Sequence, residues 1–330
     1  MRRAARAFAA LVAAVATLTA CATPLPQPAP EPPAAVAPPA LLPTQSAAVL
    51  TDLGAVLAAA DQARDSAKLA PRVIGPALAM RSAEYQRSEA TNGDRAPTAL
   101  PTKAQLVVVP QTTTWPRVQL VVTEQPDNLQ APRVLVLEQA TPRDRYALWG
   151  WARMFPNAST PHMAEAAKGS PVLPVDDAAL AMAPNAVLAA YADVLANGDA
   201  SASAAQFAPD QFRDQVTQNR QTLSTNVKDI GQVAETYTPD GPPLTVIGDA
   251  TGGALVVGSM STVSTVSITL AGAKLTLSPF ESAAAGASEA GKSLARTYTD
   301  VLVFHVPAAG SGQPVQLIAA ESVLTAVAAQ

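Results

Sequence analysis

The chain has 330 residues but one cysteine, two histidines and only 4% aromatic residues, so it holds few of the groups from which catalytic and metal sites are built. A single cysteine rules out an internal disulfide, and stability must come from packing. His162 lies in a Pro/Ser/Thr-rich stretch and His305 inside the apolar run 301–306, with no H-E-x-x-H or C-x-x-C pattern nearby. A metal centre usually combines several His, Cys or carboxylate ligands, so none is expected, and nothing in the pattern asks for a cofactor. The G-x-S-x-G, G-x-G-x-x-G and phosphate-loop patterns are also missing. Their nearest approach, Gly286-Ala287-Ser288-Glu289-Ala290-Gly291, reads as an Ala/Gly/Ser linker. Twenty-two basic residues against 26 acidic ones give a formal net charge of −4, which argues against nucleic acid or an anionic lipid surface as an electrostatic partner.

What is present begins at the N-terminus. Arg2, Arg3 and Arg6 precede an apolar stretch over residues 8–19, the layout of a secretory signal. That stretch falls short of the roughly 20 apolar residues a spanning helix needs. It ends in Leu18-Thr19-Ala20-Cys21, which resembles the lipobox of bacterial lipoproteins. The resemblance implies that residues 1–20 are a signal peptide and that the Cys21 thiol carries a diacylglyceryl group. The mature chain would then sit on the extracytoplasmic face of the cell membrane, since two acyl chains hold a protein stably. Loss of residues 1–20 takes the net charge to −7. Residues 21–43 contain nine prolines and read as an extended tether, about 3 Å per residue.

The remainder reads as helices followed by strands, twice. In the first part, Val49, Leu50, Leu53, Val56, Leu57 and Ala60 recur at helical spacing, and a second helix is expected over 77–88. Strands are expected at 105–109, 117–123, 133–139 and 145–154, with turns at Pro126-Asp127-Asn128 and Pro142-Arg143-Asp144. The second part offers helices over 185–196 and 209–227, then strands at 244–248, 254–260, 262–270, 297–306 and 314–326. A constant offset of 138 positions relates the two: Val49-Leu50 to Val187-Leu188, Asp61 to Asp199, Leu69-Ala70-Pro71 to Phe207-Ala208-Pro209, and Leu106-Val107-Val108-Val109 to Leu244-Thr245-Val246-Ile247. An unbroken offset across helix, turn and strand reads as an internal duplication.

Tyr191, Leu195, Gly198-Asp199 and Phe207-Ala208-Pro209-Asp210 resemble the opening of NTF2-like domains of the SnoaL and ketosteroid-isomerase kind, in which a helix ends in Gly-Asp and a Phe-x-x-Asp segment leads into a curved sheet. The resemblance implies two tandem α+β repeats, NTF2-like or cystatin-like, over 44–168 and 169–330, with their sheets paired. It places Asp199 at a turn and supplies no catalytic residue. The order of lipobox, Pro-rich tether and Ala-rich body is similar to that of actinobacterial lipoproteins of unknown function.

Trp149 and Trp151 stand two apart on an expected strand and share a face, with Tyr146 close by. They are the candidate lining of a ligand pocket or docking surface, and the plainer reading is that they fill the core of the first repeat. The sequence thus points to a non-catalytic binding or scaffold module of the cell envelope, whose partner is another envelope protein. Two alternatives remain open: a carrier of a small apolar ligand or lipid, and an unrecognised NTF2-like enzyme, which needs a buried polar group of shifted pKa in its cavity.

Overall fold

Helix α1 (Pro43–Ala63) turns Leu50, Leu53, Leu57 and Ala60 inward, a spacing of three and four residues that lays one apolar stripe against the core. Proline in its first turn is tolerated because the N–H it lacks would have no helical partner there. Arg64 ends the helix in the left-handed conformation, at φ 51°. A 3-10 turn (Ser66–Leu69) leads into α2 (Gly75–Ala90). The strands β1 (Ala104–Val108), β2 (Pro110–Gln111), β3 (Arg117–Thr123), β4 (Arg133–Gln139), β5 (Ala147–Met154) and β6 (Ser170–Pro171) follow. The pattern then restarts with α3 (Pro184–Asn197), a 3-10 turn (Ala204–Gln206) and α4 (Gln211–Val227). After these come β7 (Gly231–Pro239), β8 (Thr245–Gly248), β9 (Ala254–Ile268), β10 (Leu275–Thr276), α5 (Pro279–Ala285), β11 (Glu289–Ala290), β12 (Ser293–Val306) and β13 (Gln316–Ala329). This computed structural model describes residues 36–125, 130–156 and 158–330. The signal segment, Cys21, most of the tether and the Pro126-Asp127-Asn128 turn lie outside the described residues.

Residues 37–330 form one unit of mixed helix and antiparallel sheet, an α+β architecture. The nine-stranded sheet runs β1-β3-β4-β5-β13-β12-β9-β7, and β8 also pairs with β9. Each half is therefore a meander, and the halves meet last strand to last strand. That seam is short, with Ala319 opposite Met154 and Ala320 opposite Arg153. Arg133 on β4 reinforces it, its Nη1 donating to Glu321 Oε2 on β13 at 2.9 Å. The expected pairing of two separate sheets takes the form of one continuous sheet.

Alternation along β12 sends its neighbours into two different cores. Val301 and Val303 join α1, α2 and the first meander, while Leu302, Phe304 and Val306 pack with α3 and Phe207. This stretch of β12 is thus covered on both faces, which explains its near-continuous apolar run. Gly150 permits the close approach of the halves, since a Cβ there would lie 3.1 Å from Val301 Cγ1.

Several expectations meet the structure closely. Strands β3 and β4 occupy 117–123 and 133–139, the bounds read from the sequence. Some elements recur at roughly the 138-residue spacing: the 3-10 turns at Ser66–Leu69 and Ala204–Gln206, helices α2 and α4, and the antiparallel pairs β1 with β3 and β8 with β9, though the registers of those two pairs differ by two residues. Three readings need correction. The expected break near 261 is absent, because Ser261 is paired on both sides, with Thr238 and Thr299, and β9 runs on for 15 residues. Strand β7 was not expected, since its outward positions are polar and only alternate residues are inward. Helix α5 was not expected either; Ser278 caps it, accepting from the Glu281 N–H, while Glu281 reaches back to the Ser278 N–H.

Candidate functional site

In the first half, the space between α2 and the sheet is filled. Arg81 is fully buried, donating from Nη1 to Glu84 at 2.8 Å and to the Thr98 carbonyl at 2.6 Å, and from Nη2 to Asp61 at 3.0 Å. The Tyr85 hydroxyl donates to Asp61 at 2.6 Å. Trp151 is fully buried with the Arg81 guanidinium 5.7 Å from its ring. Trp149 is half-buried against the start of α2, where a Cβ on Gly75 would lie 3.1 Å from its Cδ1. Tyr146 is buried, and its phenol is pushed up to about 12 by burial. The structure brings both tryptophans against one helix, as their spacing predicts, and there they fill the core of the first half.

The corresponding space in the second half is open. A cavity of about 130 Å³ lies between α4 and the sheet. Its helix side is Phe212, Val216, Asn219 and Leu223, which recur at intervals of four, three and four residues and so share one face. At the 138-residue offset these positions match Ile74, Leu78, Arg81 and Tyr85. Asparagine stands where arginine plugs the first half, and leucine where tyrosine does.

The sheet side is polar. Cross-strand partners share a face, and three ladder rows supply it: Tyr237-Thr262-Tyr298, Glu235-Ser264-Arg296, and Met260-Asp300-Ser322. Glu235, Tyr237, Thr262, Ser264, Tyr298 and Ser322 line the cavity. Arg220 closes one side, with Nε donating to Glu235 at 2.6 Å and Nη2 to the Tyr237 hydroxyl at 2.7 Å and the Leu195 carbonyl at 2.6 Å. Tyr237 in turn donates to Glu235 at 2.6 Å. Burial, then this carboxylate, holds the Tyr237 phenol well above its ordinary pKa.

Asp300 lies beneath the floor, fully buried, with Oδ2 accepting from the Thr262 hydroxyl at 2.5 Å. Burial pushes its carboxyl up to about 6, against the opposing effect of the Ser322 and Thr262 hydroxyls. Its Oδ1 and the Ser264 Oγ are buried without a hydrogen-bond partner. Buried polar atoms in native proteins are nearly always satisfied, so such atoms at a cavity call for an explanation.

The two histidines converge on a different turn. His305 Nε2 lies 2.9 Å from Asp249 Oδ2, and the His162 carbonyl accepts from the Ala250 N–H at 2.7 Å. Burial acts to raise the Asp249 carboxyl, but hydrogen bonds from Thr251, His305 and Gly253 outweigh it and hold the group below its usual range. Among the described residues no group of three or more His, Cys, Asp or Glu could hold a metal ion. Asp199, expected at a turn, sits in a short 3-10 segment (Gly198–Ala200) and pairs with Arg213 at 2.5 Å.

Sequence reasoning placed the richer lining in the first half and missed Asp300. The signal was present: Asp300 is the charged residue that interrupts the strand from Tyr298 to Phe304, where its side chain alternates onto the same face as Leu302 and Phe304.

Fold and site together define an α+β protein whose first half is filled between α2 and the sheet and whose second half holds a small amphipathic cavity between α4 and the sheet. Residues 37–329 match the family described as Domain of unknown function (DUF8094), and the chain belongs to that family. No curated protein and no solved structure matches the chain.

Proposed function

We propose that the chain is a lipid-anchored binding protein of the cell envelope, built of two NTF2-like repeats, and that the second repeat holds a small ligand between α4 and the sheet. The observation that carries this reading is the cavity itself: about 130 Å³, apolar but for Asn219 on the helix side, lined by hydroxyls and Glu235 on the sheet side, and bordered by the unpartnered Ser264 hydroxyl. A dry cavity of roughly 150 Å³ accepts a benzene ring, so the ligand is of one-ring size with a polar end. The lipobox at Cys21 and the Pro-rich tether support the location, and among the described residues no helix is long and apolar enough to cross a membrane.

The enzyme reading has one observation in its favour, the raised carboxyl of Asp300. A general base must come within hydrogen-bonding reach of the proton it removes. Asp300 has no exposed surface and lies under Thr262, so binding is the better supported role.

Native mass spectrometry of the chain isolated from its own envelope tests both parts. Wild type should carry a diacylglyceryl mass increment that Cys21→Ala abolishes, and a separate small adduct that Leu223→Tyr abolishes. An adduct unchanged by Leu223→Tyr would place the ligand elsewhere, and an unmodified Cys21 would remove the anchor.

A further inference from the structure

The charges around the α4 cavity do not balance. Arg220 of α4 pairs with Glu235 of β7, and Arg296 of β12 pairs with Glu281 of α5 at 2.5 Å. Asp300 is left over. Its resolved contacts are with hydroxyls, and the other titratable groups about it are Tyr298 on its own strand, Tyr191 on α3, and Asp240 just after β7, which repels it. A carboxylate buried without a cation is costly, and a cation brought close to it is favoured in proportion.

Resting on the reading that this cavity binds a small ligand, we propose that the ligand is an organic cation: a primary or secondary amine on an apolar body of about one ring. Asp300 beneath the floor supplies the counter-charge, and the unpartnered Ser264 Oγ accepts an N–H from the ammonium. Phe212, Tyr237 and Tyr298 surround the space, and aromatic faces attract an ammonium within about 6 Å. Val216 and Leu223 take the apolar body. A carboxylate ligand meets the unpaired Asp300 and is rejected; a neutral alcohol fits the volume but leaves Asp300 uncompensated.

Calorimetric titration of the full chain with benzylamine, benzyl alcohol and benzoate separates these cases. At about pH 7.5 benzylamine should bind at least tenfold more tightly than benzyl alcohol, with no heat from benzoate. Asp300→Asn should bring benzylamine down to the level of the alcohol, and persistent alcohol binding shows that the variant keeps its cavity. A second measurement needs no variant: lowering the pH to about 5 protonates Asp300, and wild-type affinity for benzylamine should fall about tenfold while that for the alcohol stays level. Equal affinity for amine and alcohol in wild type, or an amine preference indifferent both to pH and to Asp300→Asn, overturns the inference while leaving the binding site in place. Heat from none of the three probes overturns the inference and the binding reading together.

Discussion

Arg81 in α2 and Asn219 in α4 stand at corresponding positions of the two halves, 138 residues apart, and the side chain of the first fills the space that the second leaves open. Arg81 can be buried because Glu84, Asp61 and the Thr98 carbonyl accept from its two Nη groups. Asn219 faces a floor of hydroxyls and needs no ion pair to be there. Two pairs of helix positions related by the 138-residue offset, Arg81/Asn219 and Tyr85/Leu223, distinguish the filled interior from the open one.

The ion pair makes the first prediction. Removing one member of a buried pair leaves an uncompensated charge and costs about 3–5 kcal/mol. Glu84 is 1% exposed, so Arg81→Met should lower stability by about that amount in urea unfolding. Adding Glu84→Gln should recover part of the loss, because the stranded charge is gone. A single variant costing under about 1 kcal/mol contradicts the buried network.

Asp300 makes the second. Its carboxyl is raised from 3.8 to about 6 by burial, so the folded chain holds a proton that the unfolded chain has already released. Stability from this group is therefore fully present below about pH 4 and is lost as the pH rises through about 6, up to about 3 kcal/mol in all. Asp300→Asn should be more stable than wild type near neutrality, and the difference between the two should shrink as the pH falls towards 4. Thermal unfolding across that range measures it. A difference that does not vary with pH rules the raised carboxyl out. Such a destabilising group kept in a core is the usual trade of stability for function.

Much of the fold was legible because its signals are local. Leu50, Leu53, Leu57 and Ala60 declare a helix by spacing, and the Val/Leu-rich runs over 117–123 and 133–139 give two strands to the residue. The seam between β5 and β13 was not legible, since it rests on two residue pairs more than 160 positions apart and no local pattern encodes it. Strand β7 escaped because Gln232, Ala234, Thr236 and Thr238 face solvent. The site was the least legible part. Composition pointed to Trp149 and Trp151, but a cavity is a deficit of volume, and a deficit is marked by what is small, as Asn219, Ser264 and Ser322 are.

The seating of α3 on β9 depends on Gly258. A Cβ at that position would lie 2.4 Å from Leu188 Cδ1, and Leu188 is buried on α3. Gly258→Ala should cost about 1–3 kcal/mol through overpacking. Pairing it with Leu188→Ala should cost less than the sum of the two single changes, because the added methyl then enters the space the leucine vacates. A double-mutant cycle by urea unfolding reads the coupling, and strict additivity would show that Leu188 yields freely and that the contact places no constraint on the helix.

The plugged and open interiors can be tested against each other. Trp151 is fully buried in the first half, so Trp151→Ala should cost about 3–5 kcal/mol by loss of transfer energy and creation of a cavity. Because it lies under α2 and not α4, the residual folded protein should bind the native small adduct as wild type does. Leu223→Tyr should behave in the opposite way, leaving stability within about 1 kcal/mol while removing the adduct, since a larger side chain enters open space rather than a packed core. Thermal unfolding and native mass spectrometry on the two variants give a crossed result if the second half alone carries the site. Loss of the adduct in Trp151→Ala at a temperature where the chain remains folded would return the binding role to the first half.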